Sequence, residues 1–227
     1  MGTEARRSFI GRLGAGMAAL GAALAAGDLR AQAQAQPAAP GPWQPVHHAQ
    51  DDWFDQVPGK HRCFFDTATV DALSDAINFA GNYFSASKSG YGLEPGDLAL
   101  VIGVRHQSAP FAFTDAMWAK YGATLAARAK YTDPKSSDTP VKNPFAPAAA
   151  AAGSRASGLT GLIERGVRIS VCDLSTHGIA GLIAQKTGGK ADAIYAEISA
   201  NMIGNARLVP AGIVAVNRAQ ERGYSMM

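Results

Sequence analysis

An α/β domain built on a parallel sheet is the fold class this sequence predicts, and three observations carry it. Short apolar runs alternate with segments of helical periodicity through most of the chain. One run, Leu98 to Val104 (LALVIGV), is apolar without interruption, as a strand buried on both faces of a parallel sheet should be. Val70, Leu73, Ile77, Ala80 and Phe84 recur at three- and four-residue steps, which is the stripe of a helix covering such a sheet. Strands alternating with amphipathic helices imply βαβ units with right-handed crossovers.

The elements follow in order. His61 to Asp66 (HRCFFD) reads as a first strand, and Thr67 or Thr69 can cap the helix after it. Gly90 to Gly96 makes a turn into the second strand, Leu98 to Val104. Ser108-Ala109-Pro110 opens a helix running to about Tyr121, with proline tolerated in its first turn. Lys130 to Ser157 is an irregular insertion with four prolines and an alanine run, long enough to suggest a functional or mobile loop. Leu159, Leu162 and Ile163 resume helical order, stopped by Gly166. Val167 to Cys172 (VRISVC) is a third strand, after which Thr176 caps a helix through Lys186. A helix over Ala191 to Ile203, a short strand Arg207 to Val209, a helix Ala211 to Arg222 and a last strand Tyr224 to Met227 complete the domain.

The front of the chain has a different character. Ala5-Arg6-Arg7-Ser8-Phe9-Ile10 places paired arginines two positions before a large apolar residue, the twin-arginine export pattern. Gly11 to Gly27 is mildly apolar, interrupted by Arg12, and too short and too weak for a transmembrane anchor. Arg30 precedes small-x-small cleavage sites at Ala31-Gln32-Ala33 and Ala33-Gln34-Ala35. The expectation is a signal over residues 1–35, cleaved near Ala33 or Ala35, that delivers a folded domain to the periplasm through the twin-arginine machinery. Residues 36–58 then read as a low-complexity linker, in which His47 and His48 take no role, and residues 59–227 as the domain.

Charge and cysteine content narrow the function classes. Of the formal charge of +3, Arg6, Arg7, Arg12 and Arg30 against Glu4 and Asp28 supply +2, leaving +1 for the mature chain. No basic patch interleaved with aromatics points to nucleic acid. Asp66-Thr67-Ala68-Thr69 stands where a phosphate-binding glycine loop would follow the first strand, which argues against a nucleotide enzyme. Cys63 and Cys172 show neither C-x-x-C nor zinc-like spacing, and no metal or cofactor is implied. Cys63, beside Phe64 on the first strand, reads as a small buried residue.

Three segments together resemble the DsrE/DsrF-like family, in its exported branch. They are Ala76 to His106 (AINFAGNYFSASKSGYGLEPGDLALVIGVRH) with Asp115 to Tyr121 (DAMWAKY) beyond it, Gly166 to Cys172 (GVRISVC), and Leu208 to Gly223 (LVPAGIVAVNRAQERG) with Tyr224. Asn143-Pro144-Phe145 in the insertion is similar to exported members as well. The resemblance implies a three-layer α/β/α fold, a five-stranded parallel sheet of order 4-3-2-1-5, and homo-oligomers of three or more chains. It also implies that the cysteine at Cys172 carries sulfane sulfur as a persulfide between a donor and an acceptor protein.

With that strand order, ligands belong beyond the carboxyl ends of the strands, where Asp66, His106, Cys172 and His177 collect. Strands two and three are then neighbours about 5 Å apart, so His106 can approach Cys172 and Asp66 can orient the imidazole. The helix near Thr176 would point its positive end at the thiol. Cysteines one strand apart sit about 9–10 Å from each other, beyond the roughly 7 Å that a disulfide spans, so no intramolecular bridge is expected. Two alternatives stay open: Cys172 is a packed core thiol, or the strand-end residues hold a small ligand, a metal or haem in a non-catalytic binding or assembly module.

Overall fold

The computed structural model describes residues 43–146 and 158–227. The export signal, its cleavage sites and residues 147–157 of the insertion lie outside the described residues. After a 3-10 turn at Ala49–Asp51, the elements are α1 (Trp53–Gln56), β1 (His61–Thr67), α2 (Val70–Tyr91), β2 (Leu98–Val104), α3 (Asp115–Ala129), α4 (Leu159–Glu164), β3 (Arg168–Cys172), α5 (Asp173–Thr187), α6 (Ala191–Ala200), β4 (Arg207–Val209), α7 (Gly212–Glu221) and β5 (Ser225–Met226). The five strands form one parallel sheet in the order β4-β3-β2-β1-β5, the expected topology.

Side-chain alternation along the strands separates two cores. Cys63 and Phe65 of β1, Leu98, Leu100, Ile102 and Val104 of β2, and Ile169 and Val171 of β3 face the larger one. There they meet Leu73, Ile77 and Phe84 of α2, Trp118 and Leu125 of α3, Ile179 and Ile183 of α5 and Ile198 of α6. Phe64, Ala99 and Val101 face the other side, which α7 and the segment around α1 cover among the described residues. Every residue of β2 is buried, so its unbroken apolar run reflects a strand with a helix layer on each face. Thr69 is the cap of α2, its hydroxyl accepting from the Ala72 N–H at 3.2 Å.

Two local expectations need correction, and a third gains a detail. The segment from Asp51 to Val57 is packed structure, not linker: Trp53, Phe54 and Val57 are buried against Phe64, Ala215 and Tyr224. The thin second face would otherwise leave Phe64 and Val101 open to water, and three large apolar side chains close it. The single helix expected from Ser108 is broken into a 3-10 turn at Ala109–Ala112 and α3, because Thr114 donates its N–H to Asn201 rather than to a helical carbonyl. The insertion is anchored where it meets that break. Buried Asn143 donates through Nδ2 to the carbonyls of Phe111 and Phe113 at 2.7 and 2.8 Å, and the Phe145 ring meets Phe111 edge-on at 4.7 Å. Among the described residues no helix is long and apolar enough to cross a membrane.

Tyr224 locks the N-terminal strap, its hydroxyl donating to the Phe54 carbonyl at 2.7 Å. Burial pushes its phenol up to about 12. A group held protonated in the folded chain contributes stability that is complete below the unfolded pKa, near 10, and is lost as pH rises through 12. Tyr224→Phe should therefore cost about 1–2 kcal/mol at pH 8, through the orphaned carbonyl. By pH 11 the gap should narrow or invert, since only the wild type has this phenol to ionise. Urea unfolding at the two pH values measures it, and parallel losses in both proteins would contradict the assignment.

Candidate functional site

The carboxyl ends of β1, β2 and β3 bring Asp66, Arg105 and Cys172 onto one face of the sheet. Phe65, Val104 and Val171 belong to the larger core, so by alternation their successors turn to the α7 side. Arg105 follows the Val104↔Val171 pair and thus lies opposite Cys172 in register, with backbones about 5 Å apart. Its guanidinium is held from β1: Nε donates to Asp66 Oδ1 and Nη2 to Asp66 Oδ2, both at 2.8 Å. This fork-on-carboxylate geometry fixes the plane of the guanidinium as well as its position.

The turn that presents Arg105 is tied down by a buried hydroxyl pair. Ser108 Oγ donates to the Thr67 carbonyl at 2.8 Å and accepts from the Arg105 N–H at 3.0 Å, while Thr67 Oγ1 donates to Gly103 O at 2.8 Å. His106 occupies the left-handed region at φ 55°, and its N–H donates to Ser175 Oγ at 2.9 Å on the first turn of α5. That bond links the β2 turn to the helix following Cys172. From the other side, Gly212 at the start of α7 admits the Arg105 stem: a Cβ at this position would lie 2.8 Å from both Arg105 Cβ and Cδ.

Cys172 is 6 % exposed and is itself the N-cap of α5. The helix begins at Asp173 with no intervening residue, so Thr176 is not its cap. Thr176 is buried within the first turn, its hydroxyl donating to the Cys172 carbonyl at 3.1 Å. This 15-residue helix starts at the thiol-bearing residue itself, and the partial positive charge of its free N–H groups lies there. Arg105 is held above its ordinary pKa, chiefly by its hydrogen bond to Asp66 and in smaller part by the nearby Cys172.

The four residues marked in the sequence divide. Asp66 and Cys172 are at the site, with Arg105 between them. Asp66 does not orient an imidazole; both its oxygens are engaged by Arg105. His106 is exposed and contributes a backbone bond. His177 stacks flat on Tyr195 at 3.7 Å, with Nε2 3.7 Å from Asp173 Oδ2. Tyr195 donates to Asp173 Oδ1 at 2.7 Å, a bond that, with burial, raises its phenol pKa. Asp173 and His177 therefore form a cluster with α6, on the opposite face from Arg105.

Cys63 belongs to a different environment. It is fully buried, its pKa is raised by burial against a weaker opposing bond from Ser225, and it pairs with Leu100, five residues before the position opposite Cys172. That register adds about 16 Å along the strands to the separation across β2. Both cysteines are free.

Four clefts line other parts of the surface. The largest of the four, about 920 Å³, runs beside Asp115, Asn143 and Thr160, and none of them includes Asp66, Arg105 or Cys172. Leu174, two residues after Cys172, and Ile213 and Val214, next to Gly212, are exposed on the first turns of α5 and α7. Among the described residues no group of three or more His, Cys, Asp and Glu is placed to hold a metal ion. Comparisons with models of protein families, with curated proteins and with solved structures gave no match.

Glycine-to-alanine replacement at a helix start ordinarily stabilises or is neutral. Gly212→Ala should instead lower the melting temperature by several degrees, because the new methyl displaces the Arg105 stem and breaks its fork on Asp66. A rise in melting temperature would show that Arg105 does not depend on that contact.

Proposed function

We propose that this chain is an exported sulfane-sulfur carrier of the DsrE/DsrF-like kind, in which Cys172 takes up one sulfur atom as a persulfide and passes it to a partner protein. The observation that supports this reading is the placement of Cys172 at a strand carboxyl end, opposite a guanidinium that Asp66 holds rigid. A cation and a helix N-terminus beside a thiol both favour the thiolate, the form that attacks sulfur. The thiolate Sγ attacks a terminal sulfane sulfur of a polysulfide. A new S–S bond forms, the adjacent S–S bond breaks, and a polysulfide one sulfur shorter leaves with the electron pair. No oxidant is consumed, and the product is the anionic persulfide of Cys172.

Several features fit the reading. Cys63 is buried and held protonated, so it does not compete as a nucleophile. Arg6-Arg7 and the A-x-A sites support a periplasmic setting for this work, after export of a folded domain. Exposed Leu174, Ile213 and Val214, on the first turns of the helices that begin at Cys172 and at Gly212, suit contact with a protein, either an acceptor or further copies in a homo-oligomer of three or more chains.

Intact-mass analysis after exposure to polysulfide tests the proposal. The wild type and Cys63→Ser should each gain about 32 Da, one sulfur atom, released by cyanide. Cys172→Ser should gain nothing. A wild type that never gains sulfur, or a gain that survives Cys172→Ser, would overturn it.

A further inference from the structure

Arg105 has more hydrogen-bonding capacity than Asp66 uses. Nε and Nη2 are spent on the carboxylate, while Nη1 makes no hydrogen bond among the described residues. The side chain is about 29 % exposed, so the guanidinium is neither sealed in the core nor free in solvent. Asp66 holds one edge of it and the start of α7 packs against the stem, which together favour this position. A second polar group on this face also lacks a partner. Ser170 lies two residues before Cys172 on the same side of β3, is 1 % exposed, and its hydroxyl is buried without a hydrogen bond. Asp173, the residue after Cys172, is engaged by Tyr195 and His177 on the side of the sheet that α6 covers.

A fixed cation with unspent donors beside a nucleophile selects for the charge of what approaches it. We infer that Arg105 is a substrate-binding residue that makes Cys172 selective for small anionic sulfur donors, the polysulfide and thiosulfate dianions, and that holds the outer sulfur of the persulfide once it forms. This rests on the sulfur-carrier reading and names its donor class. With thiosulfate the Cys172 thiolate attacks the outer sulfur. The Cys172 S–S bond forms, the sulfur–sulfur bond of thiosulfate breaks, and sulfite leaves with the electron pair. Charge is conserved, three negative charges on each side. The terminal persulfide sulfur then carries the charge that the thiolate carried before it, and Arg105 faces an anion at both stages.

Iodoacetate and iodoacetamide are nearly the same size and differ in charge, so their rates at Cys172 probe the anion preference without any sulfur chemistry. The ratio of the two rates, read by peptide mapping, should be about five- to ten-fold higher in the wild type than in Arg105→Gln, on Coulombic grounds at close range. Initial sulfur uptake from thiosulfate should fall by a similar factor. Arg105→Lys keeps the charge and should keep most of the preference. Should Arg105→Gln fail to fold, the wild type decides: added salt should depress the iodoacetate rate and spare the iodoacetamide rate. An equal ratio in wild type and Arg105→Gln, or a salt-independent ratio, overturns the role of Arg105 even if sulfur uptake is intact. The expected ratio in a protein that never takes up sulfur would leave the anion site standing and remove the sulfur-carrier reading.

Discussion

The fork between Arg105 and Asp66 joins the carboxyl ends of β1 and β2, and the arrangement around Cys172 depends on it. Both side chains are partly exposed, and ion pairs of that kind contribute on the order of 1 kcal/mol or less to stability. The pair matters for what it positions. Arg105 lies against the first turn of α7, where the free N–H groups of a helix make a cation unwelcome. Asp66 supplies the compensating charge and turns the guanidinium into a fixed object beside the thiol. The Ser108 and Thr67 hydroxyls hold the backbone that carries Arg105, so the geometry is built into the end of the sheet.

The uneven layering explains why the site lies on this face. Among the described residues, helices α2 to α6 contribute to the larger core on one side of the sheet, and α7 covers much of the other, approaching through Ala215 and Ala219. The strap around α1 completes that thin layer. It is held by Arg222, whose buried side chain reaches Asp55, Asp52 and the His48 carbonyl at 3.1 Å each. The guanidinium is buried while both carboxylates are about half exposed, so water screens the ion pairs and the tie rests on several bonds converging on one buried side chain. Its grip falls beside Trp53 and Tyr224, which pack in the smaller core with Phe64 and Val101.

Much of the fold was legible because periodicity is a property of the chain alone. The apolar run of β2, the stripe of α2 and the alternation of strands and helices depend on no distant residue. The sheet order came with the family resemblance and not from the residues. The strap was misread because a linker and a packed segment share low periodicity; the adjacent aromatics Trp53 and Phe54 were the available signal. Of the site, Asp66 and Cys172 were found as strand-end residues. Arg105 has no local signature, because His106 one position on is the more conspicuous side chain and register across two strands is not written locally. Parity was the clue: Val101, Gly103 and Arg105 share a face, and Cys172 shares a face with Ser170. The cluster of His177, Tyr195 and Asp173 joins residues of two helices and had no local signature.

A crystal structure of the polysulfide-treated protein tests the central claim most directly. The account predicts electron density for a second sulfur on Cys172 Sγ, within hydrogen-bonding reach of the Arg105 guanidinium, with Asp66 still bound to Arg105. An unmodified Cys172, or added sulfur found only at Cys63, would contradict it.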